Sequence, residues 1–207
     1  IAVCPVNHTG DRHSPSAWKM TNAMPSWSWT GCEGQKASIE VYARAARVEL
    51  WLNGRIIGRK ALKNDCFAKF SVTYEPGKLE AVSYDARGCE LGRCNLTTAG
   101  QQTQITAGPE QSSVQAGHLC YIRLRYTDEK GITKPLARGN IKVEVDGGTL
   151  VGLGNACPYH ECSYLDCVAD TYYGEALAIV RAGEGNSLTL AADDGMHSTA
   201  VTVPVTR

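Results

Sequence analysis

Between Val48 and Leu52 the aliphatic residues fall on every second position, and the run stops at Asn53-Gly54. A period of two places Val48, Leu50 and Leu52 on one face of an extended strand, with Glu49, Trp51 and Asn53 on the other. Asn-Gly tolerates the positive φ angles of a type I′ turn, so the chain is predicted to double back as Arg55-Ile56-Ile57-Gly58. This pattern commits the region to a β-hairpin.

The same pattern recurs downstream. Ala68, Phe70, Val72 and Tyr74 alternate inward before Glu75-Pro76-Gly77-Lys78, where Pro presets one corner of a type II turn and Gly accepts the positive φ of the next. Leu79 to Tyr84 is the returning strand. With Ala37–Ala43 before and Cys89–Thr98 after, there are about six short strands, enough for one sandwich. The polar stretch Gln101–Gln111 carries few apolar residues and is read as a domain boundary. Beyond it Cys120, Ile122, Leu124 and Tyr126 alternate up to the turn Asp128-Glu129-Lys130-Gly131. Ile141–Val145, Gly174–Ala182, Ser187–Ala192 and Thr199–Val205 complete a second sandwich. No segment sustains a helical apolar period. Residues 1–26, with Pro5, Pro15 and Pro25, lack alternation and read as an extended lead-in that needs a neighbour to pack on.

Composition narrows the function classes. Lys plus Arg and Asp plus Glu both number 21, for a net charge of zero. Such a chain lacks the cationic excess of a nucleic-acid binder or a polybasic membrane anchor. Hydrophobic residues make up 43% and charged residues 20%, enough to bury a core. The longest apolar runs, such as Ala176–Val180, fall far short of the roughly 20 residues that span a bilayer. The chain starts at Ile1 without a signal-like segment, which suggests a processed product or an excerpt. Its nine cysteines are an odd set that cannot all pair within one chain. Read as strand-embedded small hydrophobes, they favour a reducing, cytoplasmic compartment.

The search for chemistry finds little. There is no G-x-S-x-G elbow, no H-E-x-x-H and no phosphate loop, and no cofactor is expected. Asp128-Glu129 and Asp193-Asp194 read as solvated turns. Cys157, His160, Cys162 and Cys167 are ligand types that zinc accepts, but their spacing is too tight for two opposed knuckles, so a plain loop with free thiols is preferred. Trp27 and Trp29 alternate and so project to one side, with Trp18 upstream. Two readings stand: exposed rings that stack on sugar faces, or rings buried against another domain. Trp51, pointing away from Leu50 and Leu52, is a separate candidate for a domain contact. His8, His13, His118 and His197 are read as isolated surface residues.

The run SWSWTGCEGQKASIEVYARAARVELWLNGRIIGRK (Ser26 to Lys60), then FSVTYEPGKLEAVSY and LTTAG, resembles the accessory β-sandwich that follows the catalytic barrel of many bacterial family 2 glycoside hydrolases, mostly β-galactosidases. Its marks are Trp27 and Trp29, Val48 to Gly54, Tyr74 to Leu79, and Thr98 to Gly100. YIRLRYTDEKGITKP, VEVDGGTLVGLGNA and YYGEALAIVRAGEGNSLTLAADD are similar to the immunoglobulin-like domain that ends such chains, though the family does not generally carry Cys157, Cys162 and Cys167.

The resemblance implies two tandem immunoglobulin-like or fibronectin-like β-sandwiches, with a lead-in (1–26), a first sandwich (27–104) and a second (105–207). It implies a parent that hydrolyses terminal β-linked sugars by a retaining mechanism, using two barrel glutamates about 5 Å apart. Neither glutamate motif occurs here, so no catalytic residue carries over. The implied partner is the catalytic barrel, with carbohydrate at outer subsites and homo-oligomerisation through the parent as further expectations. Nucleic acid and membrane are not expected. The alternative is an autonomous carbohydrate-binding or adhesion module built on the same tandem sandwiches.

Overall fold

The computed structural model describes residues 1–8, 21–63, 66–159 and 162–207. The chain divides into two units, Ile1–Thr98 and Ala99–Arg207, each a two-sheet sandwich, so the all-β expectation holds.

The first unit holds β1 (Ala2–Val3), β2 (Lys36–Tyr42), β3 (Arg47–Leu52), β4 (Arg55–Ala61), β5 (Phe67–Thr73), β6 (Lys78–Tyr84) and β7 (Glu90–Thr97). One sheet is ordered β1-β2-β5 and the other β4-β3-β6-β7. Val48, Leu50 and Leu52 are buried as alternation requires, and Asn53 and Gly54 take φ of 50° and 78°, the type I′ hairpin turn. The described residues of the expected lead-in, 1–8 and 21–26, belong to this unit. Ala2 and Val3 pair with Glu40 and Ile39 of β2, Val3 also bridges Met24, and Val3 and Val6 are fully buried.

The Pro76-Gly77 corner differs from a hydrogen-bonded type II turn. Gly77 has φ of +136°, and the Lys78 N–H goes to Asn53 Oδ1 at 2.9 Å. Asn53 Nδ2 donates to the Pro76 carbonyl at 3.0 Å, and Gly77 N–H donates to Thr98 Oγ1 at 3.0 Å. The Asn side chain of one turn thus braces the other, and a Cβ at position 77 would fall on it. Gly77→Ala should cost about 1–3 kcal/mol through strain and the clash. For a unit of this size the melting temperature should fall by roughly 5–15 °C, read by circular dichroism.

The second unit holds β8 (Gln104–Pro109), β9 (Val114–Gln115), β10 (Leu119–Thr127), β11 (Ile141–Asp146), β12 (Gly148–Gly154), β13 (Val168–Ala169), β14 (Glu175–Ala182), β15 (Ser187–Asp193) and β16 (Ser198–Thr206). Its sheets are ordered β12-β14-β10-β8 and β13-β11-β15-β16-β9. Cys120, Ile122, Leu124 and Tyr126 point into the core with Ala176, Ala178 and Val180 of β14. The stretch read as a polar boundary contains β8, which pairs with β10 and buries Ile105.

Candidate functional site

Two of the singled-out tryptophans form the heart of the first unit. Trp27 and Trp29 have no exposed surface. Trp27 Nε1–H donates to the Glu75 carbonyl at 3.0 Å, and its ring meets Tyr74 edge-on at 4.8 Å. The Tyr74 hydroxyl accepts the Trp29 N–H at 3.0 Å and donates to the Trp27 carbonyl at 3.4 Å. The reading of Trp27 and Trp29 as ligand-stacking or domain-contact residues is therefore corrected. Their own sandwich supplies the neighbours that the sequence left unassigned. Trp18 lies outside the described residues.

Trp51 keeps part of its surface, on the outer face of the four-stranded sheet as expected. Its cross-strand neighbours are Ile56 and Glu80, and its Nε1–H is shielded without a hydrogen-bond partner among the described residues. Around it the face is laced with charge. Glu49 accepts from Arg59 at 2.9 Å and from the Tyr84 hydroxyl at 3.2 Å, while Arg47 lies over the Tyr84 ring at 4.4 Å. Glu80 pairs with Lys78 at 2.9 Å and Arg93 at 3.5 Å, and the Lys78 hydrogen bond holds its carboxyl below the usual range. Elsewhere in the unit Glu40 accepts from Thr21 Oγ1 at 3.0 Å and Tyr42 Oη at 2.7 Å. That bond, with burial adding to it, pushes the Tyr42 phenol up to about 12.

In the second unit, two acids read as solvated have covered carboxylates, Asp128 as a buried residue and Asp194 as a half-buried one whose side chain is 5% exposed. Asp128 is 1% exposed and accepts the N–H groups of Gly100, Lys130 and Ile132 at 2.8–2.9 Å. Asp194 accepts from Met196 N, His197 N, the Tyr126 hydroxyl and His197 Nδ1 at 2.7–3.2 Å. In both, burial opposes ionisation but the donated hydrogen bonds outweigh it, holding the carboxyls below the usual range. His197 is therefore not an isolated surface residue. The signal available in sequence was the chemistry of the turn, where an Asp can accept from amides two to four positions on.

The cysteine expectation fails in its premise. Only Cys94 and Cys120 lie in strands, and only Cys32 and Cys120 are buried, where desolvation pushes both thiols up. Cys162 and Cys167 are exposed and Cys157 half-buried, all as free thiols, while His160 lies outside the described residues. Among the described residues, no three metal-ligating side chains come together. A surface depression of about 530 Å³ lies on the second unit's five-stranded sheet, floored by Ala191 and Ala200 and edged by Asp193 and the Lys142–Glu144 ion pair. No described helix is long and apolar enough to cross a membrane.

Residues 104–202 match the family described as "Glycoside hydrolase family 2 C-terminal domain 5", and residues 34–92 match a "Domain of unknown function (DUF4982)". A solved glycosyl hydrolase family 2 member from Bacteroides cellulosilyticus superposes with a TM-score of 0.84 at 29% identity, covering 98% of this chain. Residues 104–202 belong to the C-terminal domain of glycoside hydrolase family 2. A solved family 2 β-glucuronidase shares the fold at a TM-score of 0.76 and 20% identity over 87% of this chain. A Formosa agariphila protein, provisionally named a β-glucuronidase, is 33% identical over 90 residues, which is 42% of this chain. The chain spans 28% and 19% of the two solved relatives and 9% of the Formosa protein.

Proposed function

We propose that these sandwiches are the non-catalytic C-terminal portion of a family 2 β-glycosidase, packing on its barrel and shaping its outer subsites or its assembly. The observation that carries this reading is the state of the buried acids. Glu40, Glu49, Glu80, Asp128 and Asp194 are each committed to donors of their own unit. A retaining glycosidase needs two carboxyls about 5 Å apart that face substrate, one as nucleophile and one as acid and base. That pair belongs to the parent's barrel, and sugar choice with it. The sequence points to a β-galactosidase, whereas the relatives with a named sugar are β-glucuronidases.

Chromogenic β-galactoside and β-glucuronide, each offered to the isolated chain and to the longer protein, test this. The longer protein should turn over one of them, and the isolated chain neither. Turnover by the isolated chain at about 1 per second or faster, the ordinary range for enzymes, would end the non-catalytic reading.

A further inference from the structure

Open sheet edges are templates for pairing, and proteins blunt them with proline, bulges, charge or brevity. Most edges here are treated in that way. β16 carries Pro204 and closes on β9, β8 carries Pro109, and β1, β9 and β13 have two residues each. β12 is bulged at Leu150/Gly152 and gives its Leu153 N–H to the Tyr164 carbonyl. β4 is bulged and carries Arg55, Arg59 and Lys60, and its Gly58 meets the Phe70 ring of β5. β7 differs. Beyond a bulge at its first residues it runs without proline, exposed at all but one position.

The direction of its backbone groups follows from the ladder. The Lys78 carbonyl accepts the Asn53 N–H and the Lys78 N–H goes to Asn53 Oδ1, so both backbone groups of Lys78 face β3, and Lys78 and Thr97 are a non-hydrogen-bonded pair. Alternation makes Glu80–Asn95 and Val82–Arg93 the same kind, so Arg93 and Asn95 aim N–H and C=O away from β6. On that side the Thr97 carbonyl already accepts the Ser28 hydroxyl at 3.4 Å.

We propose that β7 pairs antiparallel with β7 of a second copy of this chain, about a two-fold axis at Cys94. Outward groups must meet outward groups, which leaves few registers. An axis at Arg93 sets guanidinium against guanidinium. An axis at Asn95 needs Thr97, whose carbonyl is taken. An axis at Cys94 sets the Arg93 cation opposite the neutral Asn95, whose Oδ1 can accept from it. Leu96 then lies opposite Gly92, large against small, and Arg93 is not left to repel because Glu80 and Glu90 hold it. Cys94 meets its own copy as a non-hydrogen-bonded pair, with Cα atoms about 4.5 Å apart, within disulfide reach. Ile1 N lies 3.7 Å from Cys94 Sγ, so a segment joined before Ile1 in a longer protein is the competing occupant. The pairing does not rest on the glycosidase reading.

Sedimentation of the reduced 207-residue chain should show its mass rising from 22.3 kDa toward twice that as concentration increases. Asn95→Pro removes no ladder bond, because that N–H faces the open edge, and should hold the chain at 22.3 kDa. Added glutathione disulfide should take two protons and two electrons from two Cys94 thiols, leaving one S–S bond and two glutathione thiols. A peptide map should then give Cys94 joined to Cys94, and Cys94→Ser should lose that product. A chain that stays monomeric, or a cross-link map without the Cys94 pair, overturns the pairing. So does an Asn95→Pro variant that folds and still dimerises; if it does not fold, the peptide map decides alone. A longer protein that is monomeric while this chain pairs would give the edge to the upstream segment and overturn the pairing for the whole protein.

Discussion

Trp27→Ala destabilises the Ile1–Thr98 unit by about 3–5 kcal/mol, the ordinary cost of emptying a fully buried large aromatic site. The ring is wholly enclosed, and its N–H is matched to the Glu75 carbonyl. Removing it also takes away the edge-on partner of Tyr74, whose hydroxyl ties Trp29 N–H to Trp27 C=O. Part of the loss should therefore be shared with Tyr74→Phe, and the double variant should fall short of the sum. Urea unfolding followed by near-ultraviolet circular dichroism measures it. Trp51→Ala, at a half-exposed site, should cost clearly less. A Trp27→Ala chain as stable as the parent would mean that the ring is not part of the core, and a contact role would return.

Asp194→Ala should cost the second unit about 2–4 kcal/mol, because it strands the buried Tyr126 hydroxyl and two amide donors that the carboxylate now satisfies. Burial and the bond to Asp194 together push the Tyr126 phenol up, so that hydroxyl stays a donor across the accessible pH range. The pH dependence has a definite sign. Asp194 and Asp128 titrate lower in the folded chain than the roughly 3.9 of an unfolded Asp, so their stabilisation is complete above that value. It is lost as pH falls through the lower folded values. Denaturant midpoints measured from pH 6 down to pH 2 should fall most steeply below about pH 4, and Asp194→Asn should flatten part of that fall. A variant with the same acid profile as the unaltered chain would remove Asp194 from this role.

The strands that were legible in sequence are those whose inward positions are large and strictly alternate. Val48-Leu50-Leu52 and Cys120-Ile122-Leu124-Tyr126 needed no context. β8 was missed because its inward set, Ile105, Ala107 and Pro109, has one large residue; its place is fixed by pairing with β10. β1 and β13 are two-residue strands that exist through their partners, which no local pattern encodes. The Trp pair was legible as important but not as core, since its neighbours Tyr74 and Glu75 lie more than 40 positions away. Asp128 and Asp194 sit in turns rich in charge, and only the surrounding loops bury them. Cysteines near apolar residues suggested burial, yet most lie in loops, where sequence neighbours do not cover them.

The most direct test of the accessory-domain account is immunocapture from the source cells with an antibody raised against this chain, followed by sizing and an aryl β-glycoside assay of what is captured. The account predicts a polypeptide several times heavier than 22.3 kDa that cleaves a β-glycoside, while the 207-residue chain alone does not. A captured species of 22.3 kDa without glycosidase activity would contradict it and make these sandwiches a free-standing module.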